Sequence, residues 1–238
     1  MRTPVGIKSY VYPCESDIAR LLDSAFVQSA LRKIANYYYS EQVSDAIKRG
    51  VVVTRNCFPS LYRVIDYCAH QIELPTNVAV ILTSRLKGPN ALAVENEGNG
   101  VVFLSNSAIT RLNEEELSFM LGHEFGHIAQ GNLSCHTIKG MIDNLKDASV
   151  VLGELLADMI EVPLNKWYRC SEYTADRAGL ICCKSLTTSL SVMHKLLPRF
   201  DGSRSVENYL ELSSSHPFLY HREVELIKFA QISGFAEN

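Results

Sequence analysis

Apolar positions in the first third of the chain recur at helical spacing: Ile18, Leu21, Leu22, Ala25 and Phe26 form one set, and Leu61, Val64, Ile65 and Cys68 another. A period near 3.6 puts such positions on one face, so this region is expected to be helical. The period then shortens. Val78 to Thr83 (VAVILT) is rich in β-branched residues and lies between Pro75 and Gly88. Ala91 to Asn96 (ALAVEN) and Val101 to Ser105 (VVFLS) flank the turn EGNG, which predicts a small sheet with a hairpin. Asn113 followed by Glu116 has the form of a capping box, and the apolar-periodic run behind it predicts a helix. Further helices are expected from about Ile142 to Leu180, broken near Pro163, and again over Leu186 to Leu197 and Glu223 to Ile232.

The helix behind the cap contains LSFMLGHEFGHIAQG, Leu117 to Gly131. Two imidazoles and a carboxylate in an otherwise apolar helix cost several kcal/mol if buried without partners, and a metal ion is the obvious compensation. His123 and His127 are four residues apart and project from one face, one turn above the other. Leu117, Leu121, Phe125 and Ile128 form the opposite stripe. The pattern is HExxH, in which two histidines hold zinc and the glutamate, here Glu124, is the general base. Gly122 and Gly126 each cost about 1 kcal/mol in a helix interior relative to Ala, which implies another backbone close by.

A catalytic zinc needs a third protein ligand and an open position. SEYTADRAGL supplies a carboxylate: Glu172 lies 45 residues after His127, with Asp176 one turn further along the same face. Ala175, Ala178 and Gly179 make that face narrow enough to pack against the two glycines. The expected division of labour is Glu172 as zinc ligand and Asp176 as acceptor from the outer N–H of a ligand histidine.

HEFGH together with EYTAD resembles the zinc metallopeptidases that include the HtpX-like heat-shock proteases and the CAAX prenyl proteases, members of the glutamate-ligand zincins. The likeness covers roughly Val78 to Leu226 and extends to PNA (Pro89 to Ala91), NEEEL before the metal helix, and SHPFLYHR (Ser215 to Arg222). It implies an α+β fold: a mainly helical zincin-like domain with a small sheet and hairpin next to the HExxH helix. It also implies an edge strand, Asn90, Ala91, Leu92 and Ala93, that binds extended substrate main chain by strand addition. His216 is implied as a donor to the carbonyl oxygen in the transition state, and Arg222 as a structural partner for a core carboxylate. Many relatives have a histidine where Asn132 stands, but that position is not a metal ligand in the family.

Composition narrows the picture. In 238 residues, 47% hydrophobic and 21% charged content suits a globular chain, and a formal net charge of −3 gives no electrostatic case for nucleic acid. No linker or repeat divides the chain, so 1–238 is expected to be a single metallopeptidase domain, with a helical part over 1–75 and a catalytic core over 76–238. Membrane-embedded relatives insert transmembrane helices between the two zinc motifs. Here the corresponding segment, ASVVLGELLADMIEVPL, carries Glu154, Asp158 and Glu161, so no membrane insertion is expected. With no signal sequence and an odd seven cysteines in no zinc-ribbon spacing, reduced thiols and a cytoplasmic location are expected. The expected activity is a zinc-dependent metalloendopeptidase acting on protein or peptide substrates, with one Zn2+ per chain and Glu124 activating the zinc-bound water. The alternative is a non-catalytic peptide-binding or scaffold protein with structural zinc, which has no need of Glu124.

Overall fold

The computed structural model describes residues 4–13, 43–74, 78–96, 99–131, 151–197 and 216–235. Among the described residues four strands form one sheet in the order β1-β2-β4-β3: β1 Val51–Val52, β2 Ala79–Thr83, β3 Ala91–Asn96 and β4 Asn99–Ser105. β2 and β4 are parallel, and β3 is antiparallel to β4, with Ala93 opposite Val102 and Asn96 opposite Asn99. The expected hairpin is thus present, and it leaves β3 as an edge. β1 went unpredicted because two residues are too few to show a period.

Among the described residues the helices include α1 Pro59–Gln71, α2 Asn106–Arg111, α3 Glu114–Ala129, α4 Val151–Cys183, α5 Leu186–Leu196 and α6 Leu219–Ser233. α3 starts where its capping box places it: the Asn113 side chain accepts from the Glu116 N–H at 2.9 Å, and the Asn113 N–H donates to Glu116 Oε2 at 3.1 Å. Lys195 on α5 pairs with the same Glu116, tying the two helices together. The apolar run Ile18 to Phe26 and the stretch from Ile142 to Val150 lie outside the described residues.

Two boundaries differ from expectation. α4 is continuous through Pro163 for 33 residues rather than broken there. A proline removes one intrahelical hydrogen bond at a cost of about 3 kcal/mol, which a helix anchored over a long buried stretch can absorb. That stretch is present: Trp167, Ala175, Ala178 and Leu180 are all fully buried. α6 begins a turn earlier than Glu223, so Arg222 is a helical residue while His216 and Pro217 precede the helix.

One face of the sheet (Val80, Leu82, Val102, Leu104) joins Leu121, Phe125, Leu180 and Leu226 in the main core. Its other face buries Ile81, Val101 and Phe103 against Val43, Ala46 and Ile47 of a helical segment. α3 lies between the sheet and α4, and the glycines allow that approach. A methyl group at Gly126 would sit 2.9 Å from Ala175 Cα, and one at Gly122 would sit 2.7 Å from Cys182 Sγ and 2.9 Å from Ala178 O. The backbone expected near these glycines is α4.

Among the described residues no helix is long and apolar enough to cross a membrane. The expectation of reduced thiols holds for Cys57, Cys68, Cys182 and Cys183, which are free, but not for Cys170, which is disulfide-bonded. Sequence spacing carries no information on which thiols meet in the fold, and a bridge at Cys170 removes the argument for a reducing compartment.

Candidate metal centre

α3 and α4 bring the two sequence motifs face to face. His123 Nε2 and His127 Nε2 lie 3.1 Å apart. Glu172 Oε2 is 3.7 Å from the first and Glu172 Oε1 is 3.5 Å from the second. The three residues offer ligand atoms that all fall within 4.8 Å of one another. Tetrahedral zinc with bonds of 2.0–2.1 Å holds its ligand atoms about 3.3 Å apart, so these spacings fit that ion.

Hydrogen bonding on the far side of each ring sharpens the fit. His123 Nδ1 is 3.0 Å from Asp176 Oδ1, and an ionised carboxylate can only accept, so the ring proton is on Nδ1. His123 therefore turns a bare Nε2 toward His127. Burial alone would lower the His123 pKa, but Asp176 and the charge of Glu172 outweigh it and the net direction is upward. Glu172 is buried yet held well below the usual carboxylate range; burial opposes this, and Arg222, His216 and His127 overcome it.

Arg222 is a cation that meets both buried carboxylates. Its Nε and Nη2 donate to the two oxygens of Asp176 at 2.8 and 2.6 Å, and its Nη1 lies 3.0 Å from Glu172 Oε2. The partner expected for Arg222 as one core carboxylate is in fact two. With Asp176, Glu172 and Arg222 all buried, the group carries a formal charge near −1, which suits a divalent cation.

Glu124 sits on the sheet side of the histidine pair and accepts a 2.7 Å hydrogen bond from the Ala93 N–H of β3. Burial raises its pKa, partly offset by His123 and by that N–H. His216 is at the rim, its side chain 61% exposed, with Nδ1 3.3 Å from Glu172 Oε1 and its ring edge-on to Tyr168. The cleft in front of these groups has a volume of about 680 Å³ and runs along Asn90 to Ala93. The site residues read from the sequence line this cleft, except Asp176, which lies behind His123. Two that escaped the sequence reading are Ser171 and Gln130, which lie behind His127. Ser171 precedes Glu172 and Gln130 is three residues past His127, but neither residue type stands out in a sequence.

A helix carrying HExxH beside a mixed sheet, with a glutamate from a second helix completing the cluster, defines a zincin-like zinc metallopeptidase, a hydrolase of peptide bonds. The chain belongs to peptidase family M48, whose family model matches residues 56–229. Similar proteins include a "Protease HtpX homolog" of Pelotomaculum thermopropionicum, 30% identical over 82% of this chain and 77% of that protein. A Thermococcus sibiricus "Protease HtpX homolog" is 24% identical over 89% of this chain and 88% of its own length. "Protease HtpX homolog 1" of Streptomyces coelicolor is 31% identical over 45% of this chain, and the matched part spans only 35% of that relative. No solved structure matches.

Proposed function

We propose that the protein is a zinc endopeptidase in which His123, His127 and Glu172 hold one metal ion and Glu124 handles the proton. The observation that carries this reading is the position of Glu124: buried, next to the ligand pair, and tied to the edge strand by Ala93 N–H. A structural metal site has no use for such a group. When bound, zinc polarises the scissile carbonyl and acidifies water. Glu124, with its pKa raised by burial, accepts the proton of the attacking water and delivers it to the leaving amine. The Ala93 hydrogen bond keeps that carboxylate at the level of the strand along which an extended substrate would lie. Asp176 fixes the His123 tautomer, and His216 at the rim is assigned to the developing charge on the carbonyl oxygen.

The substrate is read as extended protein or peptide main chain added antiparallel to β3. Beside the first half of that strand the cleft wall is apolar, built from Phe119, Met120, Val192, Met193, Leu196 and Leu219. An antiparallel chain places there the residues that follow the cut. Incubation with casein is therefore expected to give chelator-sensitive cleavage, restored by zinc, with large apolar residues enriched at the new N-termini. Cleavage that continues after complete zinc removal would defeat the zinc assignment, and enrichment on the other side of the cut would reverse the substrate direction.

A further inference from the structure

The Asp176 carboxylate dictates where the His123 proton sits, whereas the Nδ1 of His127 meets a hydroxyl. Its Nδ1 is 3.2 Å from Ser171 Oγ, and a hydroxyl can donate or accept, so this contact alone leaves the tautomer open. The open choice matters. A proton on His127 Nε2 would point into the metal position and block it, whereas a proton on Nδ1 leaves Nε2 as a ligand.

The choice is closed two groups further out. Gln130 Nε2 is 3.2 Å from the Ser171 backbone carbonyl, which can only accept, so the amide nitrogen faces the carbonyl and Oε1 faces the hydroxyl. Ser171 Oγ then donates its one proton to Gln130 Oε1 across 2.6 Å. With that proton committed, the hydroxyl can offer His127 only a lone pair, and His127 must carry its proton on Nδ1. Ser171 is fully buried and His127 nearly so, which shields the chain of bonds from water that would scramble it. With Asp176 acting on the other ring, both histidines direct bare Nε2 atoms at each other across 3.1 Å, an arrangement that calls for a cation.

We infer that Ser171 and Gln130 form a neutral relay that fixes the His127 tautomer and readies it for the metal. They are positioning residues, since neither touches the cluster's centre. The inference rests on the proposed role of His127 as a ligand, and the test separates the two.

The probe is Zn2+ itself, with affinity measured by competition against a chromophoric chelator on the full chain. Ser171→Ala removes the acceptor, and Gln130→Leu frees the hydroxyl to donate the wrong way; each should weaken zinc binding by about tenfold or more. Gln130→Glu keeps an acceptor for the hydroxyl and should bind zinc at least as tightly as the parent, which mere loss of packing would not predict. Gln130 is only partly buried at the end of α3, so its variants report even if Ser171→Ala folds poorly. Parent-like affinity in Gln130→Leu, or a loss in Gln130→Glu equal to that in Gln130→Leu, overturns the relay. Parent-like affinity in His127→Ala would instead overturn the ligand assignment beneath it.

Discussion

Replacing Arg222 with Ala should destabilise the protein by about 3–5 kcal/mol, the range for removing one member of a buried charge network. The reason lies in what stays behind. Asp176 and Glu172, 1% and 4% exposed, would share the interior with no guanidinium between them. Bound zinc supplies part of the missing positive charge, so the loss measured by urea or thermal unfolding should be larger with chelator than with zinc. Arg222→Lys should recover little, because an ammonium cannot make the two bonds to Asp176 and the third to Glu172 at once. pH acts on the same network. The folded-state pKa of Glu172 is depressed, so its contribution is whole above the ordinary value of 4.5 and is lost as pH falls below it. A stability change under about 1 kcal/mol in Arg222→Ala would mean that the carboxylates are compensated by some other group.

Glu172→Ala is expected to cost the protein its zinc. Two imidazoles four residues apart on one helix remain, but a two-nitrogen site lacks both the third ligand and the negative charge that balances the ion. Zinc-to-protein ratio after gel filtration should fall from near one to near zero, and hydrolysis should go with it. The fold should survive, since removing Glu172 leaves the Asp176–Arg222 pair in place. Retention of a full equivalent of zinc by the variant would move the third ligand elsewhere, with His216 the nearest candidate at 3.3 Å from the same carboxylate.

What could be read from the chain before folding followed from local periodicity. His123 and His127 share a face because helices repeat every 3.6 residues, and Gly122 and Gly126 announce a neighbour because nothing else explains two glycines there. Glu172 was legible as a carboxylate on a narrow helical face, and the capping box fixed the start of α3. What stayed hidden depends on contacts between distant residues. No pattern tells that Arg222 reaches Asp176 and Glu172 together, or that Ser171 and Gln130, 41 positions apart, meet behind His127. The continuity of α4 through Pro163 is hidden for the same reason: the local cost of a proline is legible in the chain, but the tertiary packing that outweighs it is not. The bridge at Cys170 is likewise a matter of proximity in space.

In the proposed mechanism one cluster holds the metal and a separate group, Glu124, moves the proton. Glu124→Gln tests it most directly, because the amide keeps the size of the side chain and can still accept the Ala93 N–H, but cannot take a proton from water. Zinc content and casein hydrolysis should be measured on the same purified sample, beside the parent protein. An unchanged zinc equivalent is expected, with turnover reduced by about 10²-fold or more. Parent-like hydrolysis by a zinc-loaded Glu124→Gln protein would contradict it.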